Sequence, residues 1–289
     1  KSDNRSNISY FLEHNVLLRR FTLSVGVLAN YNSALNEGIH FYPGIDASYR
    51  IGDNFRLYGS WNRALRMPTF TDLYYEGKTN KGNPDLKPEE SEAFEVGLKY
   101  NTYFLRAHIA GFYRKGKNMI DWVKEKPEDI WESQNLTKVD NLGFETNLSL
   151  LPRELGNERF FIRKIELGYA FIHQDKDSEG YISNYALDYL KHKFTAQLSH
   201  SIWKGFSATW YVRWQDRAGS YTKYENLKPA YEEPYAPYCL VDMKVNWEYQ
   251  RLNLYAELNN LLNSTYYDLG NIPQPGIWFK AGFRYSFKY

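Results

Sequence analysis

Apolar and polar residues alternate through most of this chain. From residue 278 to the last position, Phe279, Ala281, Phe283, Tyr285, Phe287 and Tyr289 fall on one face. Lys280, Gly282, Arg284, Ser286 and Lys288 fall on the other. Successive side chains on a β-strand point to opposite faces, so this segment reads as a strand with one apolar and one wet side. The same period recurs in Phe21–Val27, Phe94–Tyr100, Phe206–Trp214, Val241–Trp247 and Leu252–Leu258. It predicts about thirteen strands, near residues 5–18, 21–33, 38–51, 54–65, 90–101, 103–124, 132–151, 159–174, 186–202, 205–217, 238–249, 252–263 and 278–289. Each is about ten residues or longer, enough for a tilted strand to cross a bilayer. No amphipathic helix of useful length is expected.

The connections alternate as well. Arg19-Arg20, Gly52-Asp53, Asn101-Thr102, Lys204-Gly205 and Gln250-Arg251 read as tight turns, whereas 66–89, 175–185, 218–237 and 264–277 read as longer loops. Short turns on one side and long loops on the other is the outer-membrane barrel pattern, with the long loops outside the cell. Residues 34–37 are short for an outer loop and 152–158 are long for an inner turn. The expected fold is all-β, a transmembrane antiparallel up-and-down β-barrel. Such bacterial barrels close on an even number of strands, so thirteen points to the C-terminal part of a larger barrel of about 22 strands.

Composition fits this expectation. The 289 residues include 26 Tyr, 17 Phe and 8 Trp, a heavy aromatic load, yet mean hydropathy is -0.63. A barrel reconciles the two, because only every second residue faces lipid. No stretch approaches the roughly 20 apolar residues of a membrane helix. A net charge of +2 gives no electrostatic case for a nucleic-acid partner. Cys239 is the single cysteine and has no internal disulfide partner. Lys1-Ser2-Asp3-Asn4-Arg5 is polar, unlike a signal peptide, so mature protein or a fragment is expected. A soluble sandwich or propeller would have to bury the aromatic faces against each other, and these strands are too long for most sandwiches.

Residues 58–100 carry the most specific motif. Tyr58-Gly59-Ser60-Trp61-Asn62-Arg63 leads into Arg66-Met67-Pro68-Thr69-Phe70-Thr71-Asp72-Leu73-Tyr74-Tyr75. Then come Gly82-Asn83-Pro84-Asp85-Leu86-Lys87-Pro88-Glu89 and Phe94-Glu95-Val96-Gly97. This resembles the barrel signature of TonB-dependent outer-membrane receptors. Asn259-Asn260-Leu261-Leu262-Asn263, Pro273-Gln274-Pro275-Gly276 and the terminal aromatic strand resemble that family's last outer loop and closing strand. The wording around Arg66 is most similar to cobalamin receptors of the BtuB type, particularly the Bacteroidetes branch; siderophore receptors share much of it.

The resemblance implies TonB-driven transport of a scarce nutrient, cobalamin first and an iron chelate second, across the outer membrane of a Gram-negative bacterium. It implies no covalent chemistry. The plug and the TonB-contacting box of the family have no counterpart in these residues. Implied partners are TonB with the ExbB–ExbD complex, outer-membrane lipid and lipopolysaccharide, and a nutrient handed over by a surface lipoprotein. Arg66, Thr69, Asp72, Tyr74 and Tyr75 are the candidate ligand contacts. Asn83, Pro84, Leu86, Pro88, Glu89, Glu95 and Gly97 are expected to set strand register and rim, with the prolines holding the chain extended. Glu89, Glu92 and Glu95 are candidates to pair with lumen Arg and Lys. Phe283, Tyr285, Phe287 and Tyr289 form the expected C-terminal barrel signal, with Tyr289 at the periplasmic rim and Phe279 near the outer one.

Other functional classes leave weaker marks. A passive porin or a structural barrel would share the strand pattern. An enzymatic barrel could be drawn from His108, His192 and Ser199, which would have to meet on one face. The remaining histidines are scattered without metal-ligand spacing. Asp175, Asp177 and Glu179 resemble half a calcium loop, a weak candidate because Ala186 stands where the closing Glu belongs. No other cofactor is implied. Arg63, Arg66, Lys78 and Lys81 give one rim a positive bias that could steer an anionic ligand or meet lipopolysaccharide phosphates.

Overall fold

The structure, a computed structural model, describes residues 4–33, 38–126, 128–156, 159–177, 180–183, 189–225, 228–270 and 272–287. Thirteen long strands stand where the alternation placed them. They are β1 (Asn7–Leu17), β2 (Phe21–Asn32), β3 (Ile39–Ile51), β4 (Phe55–Arg66), β5 (Glu89–Asn101), β6 (Leu105–Lys124) and β7 (Trp131–Leu150). The rest are β8 (Ile162–Asp177), β9 (Leu190–Trp203), β10 (Phe206–Arg217), β11 (Tyr238–Tyr249), β12 (Leu252–Asn259) and β13 (Trp278–Tyr285). They pair in chain order within one sheet, each beside its sequence neighbour. Adjacent antiparallel pairing needs only short turns, and it lets every ladder amide find a partner where lipid offers none. Asn80–Lys81 adds to β7 and Ile182–Ser183 adds to β6.

The chain divides into two compact units. The first comprises Lys1–Lys99, Ala110–Gly143 and His173–Ala186. The second comprises Tyr100–Ile109, Phe144–Ile172 and Leu187–Tyr289. Neither has a conventional core. The buried apolar residues are few, among them Leu73, Trp122 and Val123 in the first unit and Ala208 and Leu240 in the second. Large apolar side chains instead stand exposed on alternate positions, such as Phe94 and Val96 on β5 and Phe279 and Phe283 on β13. On a wall whose apolar face meets lipid, that distribution is the stable one.

Tight turns form where expected, and Gly52 (φ 64°) and Gly205 (φ 78°) supply the left-handed backbone two of them need. Three expectations change. β12 ends at Asn259 rather than 263, because Asn260 turns left-handed at φ 51° and its side chain takes over the loop. β13 is regular only to Tyr285, since its partner β12 begins opposite that residue at Leu252. One further bond, from the Ser286 amide to the Arg251 carbonyl (3.0 Å), follows it, and Tyr289 lies outside the described residues. The 66–89 loop is not wholly irregular: it holds a five-residue helix, α1 (Phe70–Tyr74). The long inner connection carries a 3₁₀ turn, Pro152–Leu155, while residues 34–37 lie outside the described residues.

Candidate functional site

In the first unit, the segment joining β4 to β5 carries the five candidate contact residues. Arg66 ends β4, and its guanidinium forks onto Glu89 at the start of β5, with Nη2 2.6 Å from Oε1 and Nε on Oε2. Glu89 is buried, and Oε1 also accepts the Ile120 amide at 2.8 Å. A forked guanidinium–carboxylate pair constrains both position and angle. Arg66 Nη1 lies 3.9 Å from Asp72 Oδ2. Asp72 closes a capping box on α1. Its Oδ2 accepts the Thr69 amide (2.9 Å) and the Thr69 hydroxyl (2.8 Å), and its own amide donates to Thr69 Oγ1 (3.1 Å).

The following residues fold back over this helix. The Asn83 amide donates to the Asp72 carbonyl (2.9 Å) and the Gly82 amide to that of Tyr75 (2.6 Å). A Cβ at Gly82 would sit 2.8 Å from backbone atoms of Leu73 and Tyr74. Gly82→Ala should therefore destabilise the loop by about 2 kcal/mol, because backbone cannot yield as a side chain can. Faster hydrogen exchange at the Asn83 amide in the full-length protein would report it; unchanged exchange would contradict it.

The signature residues have visible partners. Asn83 Oδ1 accepts the Asp85 amide (2.9 Å). Asn135 clamps Lys87 through its amide (2.8 Å) and carbonyl (2.9 Å), spanning the Pro84-to-Pro88 stretch that contains Leu86. Glu95 accepts the Tyr58 hydroxyl (2.7 Å), and the Tyr58 ring occupies the space Gly97 leaves, 2.6 Å from where a Cβ would stand. Glu92 accepts the indole N–H of Trp61 (2.8 Å). Of the three wall glutamates, Glu89 thus pairs with an arginine, while Glu92 and Glu95 take aromatic donors. The rim cations are largely balanced, Arg63 by Glu90 (3.7 Å) and Lys81 by Glu132 (3.8 Å).

Arg66, Thr69 and Asp72 therefore brace the loop, with Asp72 buried and Arg66 and Thr69 still exposed. Tyr74 and Tyr75 present about half their surface. Tyr75 meets the edge of Trp122 (6.4 Å between centroids), and Tyr74 stacks with Phe70 (6.3 Å), which is also half exposed. Phe70 was not singled out from the sequence. Its spacing from Tyr74, four residues on one helix face, was the available signal. The Arg5 guanidinium 5.1 Å above Phe70, and its bond to the Pro68 carbonyl (2.7 Å), had no such signal.

In the second unit, a hairpin of Ser220–Glu225 and Lys228–Pro234 follows β10. Tyr221, Tyr235 and Tyr267 pack together with centroids 5.1 and 5.3 Å apart. Arg217 lies over Tyr235 (5.5 Å) and Lys223 over Tyr267 (5.7 Å). Lys223 Nζ is 2.8 Å from Glu233 Oε2, and its hydrogen bond holds that carboxyl below the ordinary carboxylate range. The loop after β12 is organised by Asn260, which is buried. Its Nδ2 donates to the carbonyls of Ser264 (2.9 Å) and Pro275 (3.2 Å), and its Oδ1 accepts the Ser264 amide (2.9 Å). Asn263 Oδ1 accepts the Ile277 amide (3.0 Å) at the entry to β13.

The catalytic constellation does not assemble. His192 and Ser199 lie seven residues apart on β9, in a stretch of regular register, and so face opposite sides. His192 sits among Phe171, Tyr169 and Trp214, its Nδ1 2.8 Å from the Tyr169 hydroxyl, while Ser199 bonds Thr209 (3.1 Å). His108 pairs with Glu145 (3.8 Å). Among the described residues no three His, Cys, Asp or Glu side chains group as metal ligands. Asp175 is exposed, and the Asp177 side chain and Glu179 lie outside the described residues.

Comparison with known proteins supplies the family. Residues 1–261 match the model described as TonB dependent receptor-like, beta-barrel. The vitamin B12 transporter BtuB of Vibrio vulnificus is 26% identical over 224 residues, covering 58% of this chain and 36% of that protein. The ferrienterobactin receptor of Escherichia coli K12 is 22% identical over 93% of this chain and 38% of its own length. A mutant of the ferric enterobactin receptor PfeA of Pseudomonas aeruginosa, in complex with enterobactin, superposes with a TM-score of 0.76 at 20% identity, over 98% of this chain and 46% of that one. The chain thus spans less than half the length of these relatives.

Proposed function

The chain belongs to the TonB-dependent receptor β-barrel family, and we propose that it is part of a transporter that takes up cobalamin. Its strands are outer-membrane barrel wall, and its relatives are transport receptors rather than enzymes. The observation that carries the cobalamin reading is the likeness to BtuB proteins of two genera, together with the exposed aromatic group of Phe70, Tyr74 and Tyr75 beside a rigidly braced loop. Flat aromatic faces with a polar tip suit a large ring system that also needs hydrogen-bond donors. In this reading Arg66, Thr69 and Asp72 act on the ligand indirectly, by fixing where the two tyrosines stand.

Transport would need a plug moved by TonB and the ExbB–ExbD complex, and delivery could involve a surface lipoprotein. Those partners follow from the family resemblance. A second reading, iron-chelate uptake, is favoured by the cations over Tyr235 and Tyr267 and by the likeness to ferrienterobactin receptors. Calorimetry of the full-length receptor with cyanocobalamin separates the two. Binding at micromolar concentration or tighter is expected, with Tyr75→Ala weakening it roughly tenfold. No binding at micromolar levels, with uptake of a ferric chelate instead, would overturn the cobalamin reading. Ion conductance through the purified receptor without TonB would instead favour a passive porin.

A further inference from the structure

We propose that the inner mouth of the second unit carries a carboxylate-binding site, formed by Arg153, Arg163 and Ser201, that takes an acidic peptide segment presented from the periplasmic side. The connection between β7 and β8 is long for an inner turn, and the extra chain brings two arginines to one place. Within its 3₁₀ turn, Arg153 donates from Nε to the Phe160 carbonyl (2.9 Å) and from Nη2 to Ser201 Oγ (2.7 Å). Arg163 donates from Nε to the same Ser201 oxygen (2.8 Å). It does so where the pairing of β8 with β9 slips. Ser199 stands opposite Lys164 and His200 opposite Ile162, which leaves Arg163 as the extra residue of a bulge. A bulge re-aims the side chain it carries, and this one aims a guanidinium at the neighbouring strand.

Two guanidiniums thus share one neutral oxygen. Their engaged nitrogens stand no farther apart than those two bonds laid end to end, and like charges that close repel unless an anion joins them. Neither arginine enters an ion pair among the described residues, whereas Lys164, next to Arg163, is matched by Glu166 (2.8 Å). Glu154, beside Arg153, is exposed, and Glu158 lies outside the described residues. Of five N–H groups each, Arg153 uses two and Arg163 one in the described contacts. The Ser201 hydroxyl accepts from both and keeps its own proton to donate. A carboxylate complements such a set, because its two oxygens accept several charged donors at once.

The site lies on the polar side of the sheet. Ser201 shares its parity on β9 with Gln197 and Ser199, whereas Phe194 and the exposed Leu198 stand on the apolar side. Its anion therefore comes from the lumen or the periplasm rather than from the bilayer. Leu155 and Phe161 are each more than half exposed in the same connection, and the Phe161 carbonyl accepts the Ser201 amide (2.7 Å). A free phosphate would leave that apolar surface bare. A peptide alternating acidic and apolar residues would cover it.

The test is calorimetry of the full-length receptor in detergent with an acetylated and amidated Glu-Phe-Glu-Leu-Glu peptide. Saturable binding is expected, and the Gln-Phe-Gln-Leu-Gln peptide should bind about tenfold more weakly. Arg153→Gln combined with Arg163→Gln should weaken the acidic peptide by about tenfold as well. Arg19→Gln with Arg20→Gln, a charge-matched pair in another inner turn, should leave it unchanged. Ser201→Asp supplies a carboxylate to the two arginines from within the chain. It should block the peptide and raise the midpoint of heat-modifiable gel mobility, an assay that also verifies that every variant is folded. No saturable binding, equal affinity in the wild type and the Arg153/Arg163 variant, or wild-type binding by Ser201→Asp would overturn the proposal. So would an anionic phospholipid, seen by native mass spectrometry, that the wild type retains and the Arg153/Arg163 variant loses while neither binds peptide. Cyanocobalamin binding is a separate readout, so failure here leaves the transport reading intact.

Discussion

Replacing Arg66 with alanine should release the loop between β4 and β5 from the wall and weaken ligand binding through a residue that need not touch the ligand. Glu89 would be left buried, with the Ile120 amide as its remaining hydrogen-bond donor among the contacts described. Removing one member of a buried pair costs about 3–5 kcal/mol. The Arg66 side chain is itself half exposed, so water recovers part of that, and about 2–3 kcal/mol is the expected loss. That corresponds to a roughly 30- to 150-fold rise in the open population of the loop, at about 1.4 kcal/mol per tenfold. Hydrogen exchange at the Asn83 and Ile120 amides of the full-length receptor would record it. Arg66→Lys should rescue little, because a single ammonium cannot reproduce the fork. Exchange rates unchanged in Arg66→Ala would show that the pair does not brace the loop. A variant with normal exchange but lost ligand binding would return Arg66 to direct contact.

Asn260→Ala should be the most damaging substitution in the second unit. The asparagine combines two roles: a left-handed backbone at φ 51° and three side-chain bonds that close the loop between β12 and β13. Losing the bonds leaves the Ser264 amide and two carbonyls short of partners at a site that water partly reaches, which costs about 2 kcal/mol. The left-handed backbone adds about 1 kcal/mol for alanine. The sum, about 3 kcal/mol, should appear as a lowered midpoint of heat-modifiable gel mobility in the full-length receptor. Asn260→Gly removes the side chain but not the backbone freedom, so it should recover about 1 kcal/mol of the loss. Equal midpoints for the two variants would mean that backbone strain plays no part.

Both effects sit in places the sequence marked as motif without showing why. The strand set was legible because its signal is local: a residue's face depends only on its parity. Even the departures have local causes, Asn260 at the end of β12 and the start of β12 at Leu252 limiting β13. Parity also disposes of the His192–Ser199 pairing. What stayed hidden were contacts between residues far apart in sequence. Asn135 reaches back to Lys87, Tyr58 lies over Gly97, and Arg5 caps Phe70. Helix α1 was missed because five residues are too short for a periodic signal, although its Thr69–Asp72 box was present in the text of the chain.

By itself, then, the sequence determined a lipid-facing antiparallel wall, its strands and its family, because alternation and turn chemistry act between near neighbours. The tertiary structure alone decided the division of labour within the motif. It tied Arg66, Thr69 and Asp72 to each other and Arg66 to Glu89, while Arg66, Tyr74 and Tyr75 each stay about half exposed. It also decided which cations and acids of the described residues pair, since ion pairing depends on distances across strands that no one-dimensional pattern encodes.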